Sequence, residues 1–237
     1  MSLPKIQHPL FTAEVPSTKK VIKFRPFTAR EEKILLIAKQ SDDEADIMSA
    51  IKQVVNNCVV TEGFEIDKLT IFDLEYLFVA IRVKSVSDVA PVSYRDNSDN
   101  QVYNFDVDLK EVKVIWPVEK PPTISLGEGM SMTLRWPTAD LYTDTQLLTS
   151  EGPEALERLI AKCILKIYAG DQTYDPNTYT TEDVIEFIED IDAKAFDEIR
   201  KFFDNMPRLQ YVITYQNSKN EERRIELSAL TDFFQFQ

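Results

Sequence analysis

The sequence predicts an α+β protein of two similar subdomains, each with helices packed on a small antiparallel sheet. Three observations point there. Val21-Ile22-Lys23-Phe24-Arg25-Pro26-Phe27-Thr28, followed by Leu35-Leu36, returns as Ser131-Met132-Thr133-Leu134-Arg135-Trp136-Pro137-Thr138, followed by Leu147-Leu148. Amphipathic helical patterns around Cys58 and Cys163 come next in the same order. Each half then ends in a hairpin pattern with a polar tip, and the shared order makes an internal duplication the expectation.

Residues 1–20 read as an extended, proline-punctuated arm with too little apolar periodicity to fold alone. Residues 21–24 alternate as a strand, and Pro26 ends it because proline lacks a ladder donor. Thr28 is placed to cap a helix over about 29–39, with Glu31 three residues on as in a capping box. Ile47, Met48, Ile51, Val54, Val55 and Cys58 share one face of a second helix. Asp67 or Thr70 caps a third, with Ile71, Leu74, Leu77, Phe78 and Ile81 inward and Glu75 and Arg82 outward. Strands over 89–94 and 102–107 flank a polar turn at 95–100.

Pro121-Pro122 closes the first subdomain, so the boundaries expected are 21–117, a linker at 118–122, and 123–237. The second subdomain opens with a hairpin, 123–126 and 130–136, around Gly127 and Gly129. Its first helix carries Leu156, Leu159, Ile160, Cys163, Ile164 and Ile167 on one face. A loop at 170–179 leads to helices with Val184, Phe187, Ile188 and Ile191, then Phe196, Ile199, Phe202 and Phe203 inward, stopped by Pro207. Strands at 209–215 and 223–227 complete it.

Charge and residue supply exclude several functions. With 40 acidic and 27 basic residues the chain carries a formal −13, which repels phosphate backbones and anionic membranes. No apolar run reaches the length of a membrane span, and no basic-then-apolar leader opens the chain, so the expectation is a soluble protein made in a cytoplasm. His8 is the single histidine, too few for a histidine triad or a histidine-rich metal site. Cys58 and Cys163 sit on apolar stripes and read as buried thiols. Five glycines supply no phosphate loop. Residues 96–100 offer oxygen ligands but lack the glycine and glutamate of a calcium loop, and Glu186, Glu189, Asp190 and Asp192 read as an exposed helix face. No catalytic, metal or cofactor-binding residue is expected.

What remains suits protein contacts. Arg25 with Phe27 and Arg135 with Trp136 stand at matching places in the two halves, and arginine and tryptophan concentrate binding energy at interfaces. The bland reading is an arginine that satisfies backbone carbonyls where strand meets helix. Phe233, Phe234 and Phe236 near the C-terminus either close the second subdomain or dock into a partner.

Leu3-Pro4, Val15-Pro16-Ser17-Thr18, Phe24-Arg25-Pro26-Phe27, Glu31-Glu32-Lys33-Ile34-Leu35-Leu36-Ile37-Ala38 and Phe72-Asp73-Leu74-Glu75-Tyr76-Leu77-Phe78 resemble the T4-type phage baseplate hub family. The resemblance covers residues 3–88. It implies a non-enzymatic part in the centre of a contractile-tail baseplate, located in the virion tail and, during assembly, in the host cytoplasm. The partners implied are other tail and baseplate proteins, with self-association as a further option and neither nucleic acid nor membrane. The family includes a hub subunit and a related protein that assists hub assembly, so a transient assembly chaperone is the nearest alternative. A different class of reading is an acidic accessory protein that binds a host enzyme by imitating nucleic acid. Under the hub reading, Arg25→Ala and Arg135→Ala are expected to leave a soluble fold and weaken assembly.

Overall fold

The computed structural model describes Pro4 and residues 6–41, 43–118, 120–150 and 152–233, leaving aside the side chains of Ser41 and Glu44. The fold is α+β with small antiparallel sheets. It divides into two units, one built from the described residues up to Ile115 and from Arg208 onward, the other from Trp116–Pro207.

In the first unit, β1 (Phe11–Glu14) pairs antiparallel with β2 (Val21–Phe24), so part of the expected arm is a strand. Ile22 and Phe24 point inward, Val21 and Lys23 outward, as the period of two requires. α1 (Ala29–Ser41) and α2 (Glu44–Cys58) follow, α2 capped by Asp43, whose carboxylate accepts from Ala45 N at 2.8 Å. Met48, Ile51, Val54, Val55 and Cys58 are buried on the face the spacing predicts.

α3 (Ile71–Ser85) starts at Thr70, which forms a full capping box with Asp73. Asp73 also accepts from Ser17 N at 2.9 Å and from the Ser17 hydroxyl, pinning the β1–β2 loop to the start of the helix. Here the structure corrects the sequence reading. Phe72 and Val79 are buried along with Leu74, Leu77, Phe78 and Ile81, and Glu75 and Arg82 are half-buried instead of facing outward. A helix apolar nearly all round has no solvent face to offer. Burial accordingly pushes the Glu75 carboxyl up to about 7.

β3 (Val89–Arg95) and β4 (Val102–Asp108) form a hairpin, and β5 (Lys113–Ile115) ends this stretch. The chain then builds the second unit. β6 (Thr123–Gly127) and β7 (Met130–Leu134) form a hairpin whose turn takes positive φ at Gly127, Glu128 and Gly129, which explains two glycines in three residues. After the short α4 (Thr145–Thr149) comes α5 (Gly152–Cys163), which passes directly into β8 (Ile164–Ala169). Ile164 and Ile167, expected on the helix, are strand residues paired with Leu134 and Met132. Their β-branched side chains suit the sheet, and the neighbouring strand overrides the helical spacing.

β9 (Gln172–Tyr174), inside the expected loop, extends the sheet to the order β6-β7-β8-β9. α6 (Thr181–Glu189) begins with a Thr180–Asp183 capping box. α7 (Ala193–Asp204) is capped by Asp192, which accepts from Lys194 N and Ala195 N. Buried Ala195, Ile199 and Phe202 form its inner face.

The chain returns to the first unit with β10 (Arg208–Gln216), β11 (Glu222–Leu227) and α8 (Leu230–Phe233). The sequence reading assigns this hairpin to residues 123–237; in the structure β10 pairs with β5 through Leu209 and Val114, in the order β11-β10-β5. Main-chain hydrogen bonds to a strand far away in sequence determine its unit, and no local pattern encodes them.

Both hairpins therefore lie in one unit, and their tips are joined. Asp96, fully buried, accepts from the Tyr215 hydroxyl at 2.7 Å and pairs with Arg223 at 3.2 Å. Asp99 accepts from Tyr103, Ser218 N and the Ser218 hydroxyl, and Ser98 donates to Glu221 at 2.6 Å. Residues 96–100 are thus the turn expected, but Asp96, Ser98 and Asp99 within it form a clasp with the other hairpin instead of facing solvent. Burial and Asp96 together push the Tyr215 phenol up to about 12. Asp96→Ala is expected to free the tips while the strands persist. Hydrogen exchange checks this: the Ser98 and Ser218 amides should exchange much faster and those of β4 only slightly so.

Candidate interaction surface

The repeated sequence motif corresponds to the same joint in both units. In the first, Phe24 bridges Val59 and Arg25 N donates to Cys58 O at 2.9 Å. In the second, Leu134 pairs with Ile164 and Arg135 N donates to Cys163 O at 2.8 Å. Each joint ties a strand end to a helix end that finishes in a buried cysteine. The correspondence is confined to this joint and the hairpin before it, because the sheets that surround them differ.

The arginine side chains are used within these joints. The Arg25 guanidinium donates to both oxygens of Glu31 at 3.0 and 3.2 Å, to Pro26 O at 2.9 Å and to Asn57 O at 3.1 Å. Glu31 is 1% exposed and also accepts from Thr28 N and the Thr28 hydroxyl. Burial alone would raise its carboxyl, but the Arg25 and Thr28 hydrogen bonds and the guanidinium charge prevail and bring it down to about 2. Arg135 donates to the Thr138 hydroxyl, which in turn donates to Asp140.

The aromatic neighbours are placed differently. Phe27 is half-buried and its N–H donates to Ser85 at 2.9 Å. Trp136 is 7% exposed and stacks on Phe202 with centroids 4.6 Å apart and planes 9° from parallel. Phe233 is buried within the first unit, not the second. Phe234 and Phe236 lie outside the described residues. The structure brings Arg25 together with Phe27 in one joint and Arg135 with Trp136 in the other, both largely enclosed.

The thiols are equally enclosed. Burial pushes Cys58 up to about 11 and Cys163 up to about 12. Neither should react with a disulfide reagent in the native protein, and both should react on denaturation. Labelling of the native chain at one thiol per molecule would contradict this packing.

What the enclosed residues leave for contacts lies elsewhere. The first unit exposes Leu36 and Ile37 of α1, 52% and 57% accessible. The second has a cleft of about 330 Å³ lined by Met130, Ile167, Ala169, Tyr174, Pro176, Tyr179, Asp183, Val184 and Phe187. Sequence reasoning missed it; the clue was Tyr174, Pro176 and Tyr179 in a segment otherwise read as loop. Glu186, Glu189, Asp190 and Asp192 are exposed as expected. No group of three or more metal-ligating side chains occurs among the described residues, and no helix among them is long and apolar enough to cross a membrane.

Searches of curated proteins and of solved structures find no match to the chain. A family model does, and it spans both units, the joints and the clasped hairpins together: with residues 8–235 matched, the chain belongs to the T4 bacteriophage base plate protein family.

Proposed function

We propose that this protein is a non-enzymatic structural subunit of the baseplate hub of a contractile phage tail, binding other tail proteins as the baseplate assembles. The observation that carries the reading is family membership over nearly the whole chain, which makes a baseplate role the starting point. The chemistry of the chain agrees with it. In the joints and clasp, Glu31, Asp99 and Tyr215 are each bound to internal partners that hold the fold together. Its exposed apolar side chains and acidic second unit supply surface for protein partners.

Mass spectrometry of purified particles and of assembly intermediates tests the proposal. Peptides of this chain in finished particles, at a fixed ratio to other baseplate proteins, are expected. Their presence in intermediates alone would make it an assembly chaperone, and absence from both would favour an accessory protein acting on a host enzyme.

A further inference from the structure

We infer that the cleft bounded by β8, β9 and α6 receives a partner segment in which an aromatic or long aliphatic side chain is flanked by lysine or arginine. The inference rests on the baseplate reading for the existence of a protein partner, but its chemistry comes from the cleft.

The floor is apolar. Met130, Ile167 and Ala169 come from adjacent strands, Tyr174 and Tyr179 stand at the rim, 37% and 51% exposed, and Val184 and Phe187 form the helical wall. A cleft of about 330 Å³ accommodates one or two large side chains, and burying them there removes apolar surface from water. β9 is the edge strand of its sheet and all three of its residues are exposed, so main-chain groups are also available to an extended segment.

Charge identifies the flanking residues. The second unit holds 18 acidic against 8 basic residues, a formal −10, while the rest of the chain holds 22 against 19, a formal −3. Along α6 the row 183, 187, 190 places Asp183 and Asp190 on either side of Phe187, and the row 182, 186, 189 beside it is entirely glutamate. Glu182 meets Arg158 at 3.5 Å. Glu186, Glu189 and Asp190 gather at the C-terminal end of α6, whose last turn carries no basic residue. The helix dipole disfavours negative charge there, so this arrangement weakens the helix and gains only when a cation arrives from outside. A basic segment anchored by an apolar side chain satisfies both halves of the site.

Fluorescence polarisation on the full chain tests this with three labelled peptides: one alternating Phe and Leu with Lys and Arg, one with Glu in place of the basic residues, and one with Ala in place of the apolar ones. Only the first should bind. Binding should weaken about tenfold or more in Tyr174→Ala/Tyr179→Ala and in Glu186→Lys/Asp190→Lys, and should fall as salt rises toward physiological strength. All four substitutions lie at the surface, and unchanged denaturation midpoints would show that the fold survives. No binding of the first peptide, equal binding of the acidic or the alanine peptide, or wild-type binding by the tyrosine variant would each overturn the assignment. Any of these results leaves the baseplate role standing if the chain is found in particles, so the two failures are distinguishable.

Discussion

Glu31→Ala should lower the stability of the first unit by about 3–5 kcal/mol, the cost typical of breaking a buried ion pair and leaving one partner uncompensated. The magnitude follows from position. Glu31 is 1% exposed and joins Arg25 to Thr28, while Arg25 reaches on to the carbonyls of Pro26 and Asn57. Removing the carboxylate therefore loosens strand, helix start and helix end together. Both tryptophans, Trp116 and Trp136, belong to the second unit, so circular dichroism should record the early loss while tryptophan fluorescence follows the other unit. The same carboxyl predicts an acid limb. Its folded-state value of about 2 lies below the ordinary 4.5, so its stabilisation is complete above about 4.5 and is lost as the pH falls toward 2. Glu31→Gln should remove that limb. If Arg25→Ala left stability unchanged and reduced assembly alone, the pair would have to be an interface element and not the joint described above.

Trp136→Ala should cost the second unit about 3–5 kcal/mol, the range for deleting a buried large aromatic. Trp136 stacks flat on Phe202 of α7, and Phe202 meets Phe203 edge-on at 4.9 Å, so the deletion opens a void that the neighbouring ring cannot fill without leaving its own contacts. Denaturant unfolding followed through the remaining Trp116 should show a lower midpoint. Trp136→Phe should recover part of the loss, because a smaller ring still stacks. Loss of partner binding with an unaltered midpoint would instead return Trp136 to the interface.

Much of the local structure was legible. The Asp43 cap was not predicted, but the α2 face from Met48 to Cys58, Thr70 as one of two candidate caps for α3, and the turn at 95–100 were, since capping, period and turn chemistry act within a few residues. The candidate site was far less so. Arg25 and Trp136 stood out as interface types, and only the structure shows Glu31 and Phe202 closing around them. The cleft was invisible because its walls come from β7, β8, β9 and α6, elements contiguous in space alone.

By itself, then, the sequence determined an acidic α+β chain in which a strand–arginine motif and a cysteine-bearing amphipathic segment occur twice, because these depend on composition and short-range spacing; that Arg25 and Arg135 join Cys58 and Cys163 was decided by the fold. Tertiary structure alone decided that residues 208–233 complete the first unit, that α3 buries nearly every face, that Ile164 begins a strand, and that two hairpin tips clasp through Asp96 and Asp99. Each of these depends on hydrogen bonds and burial between segments distant along the chain, where the partner, and not the residue's own preference, determines the outcome.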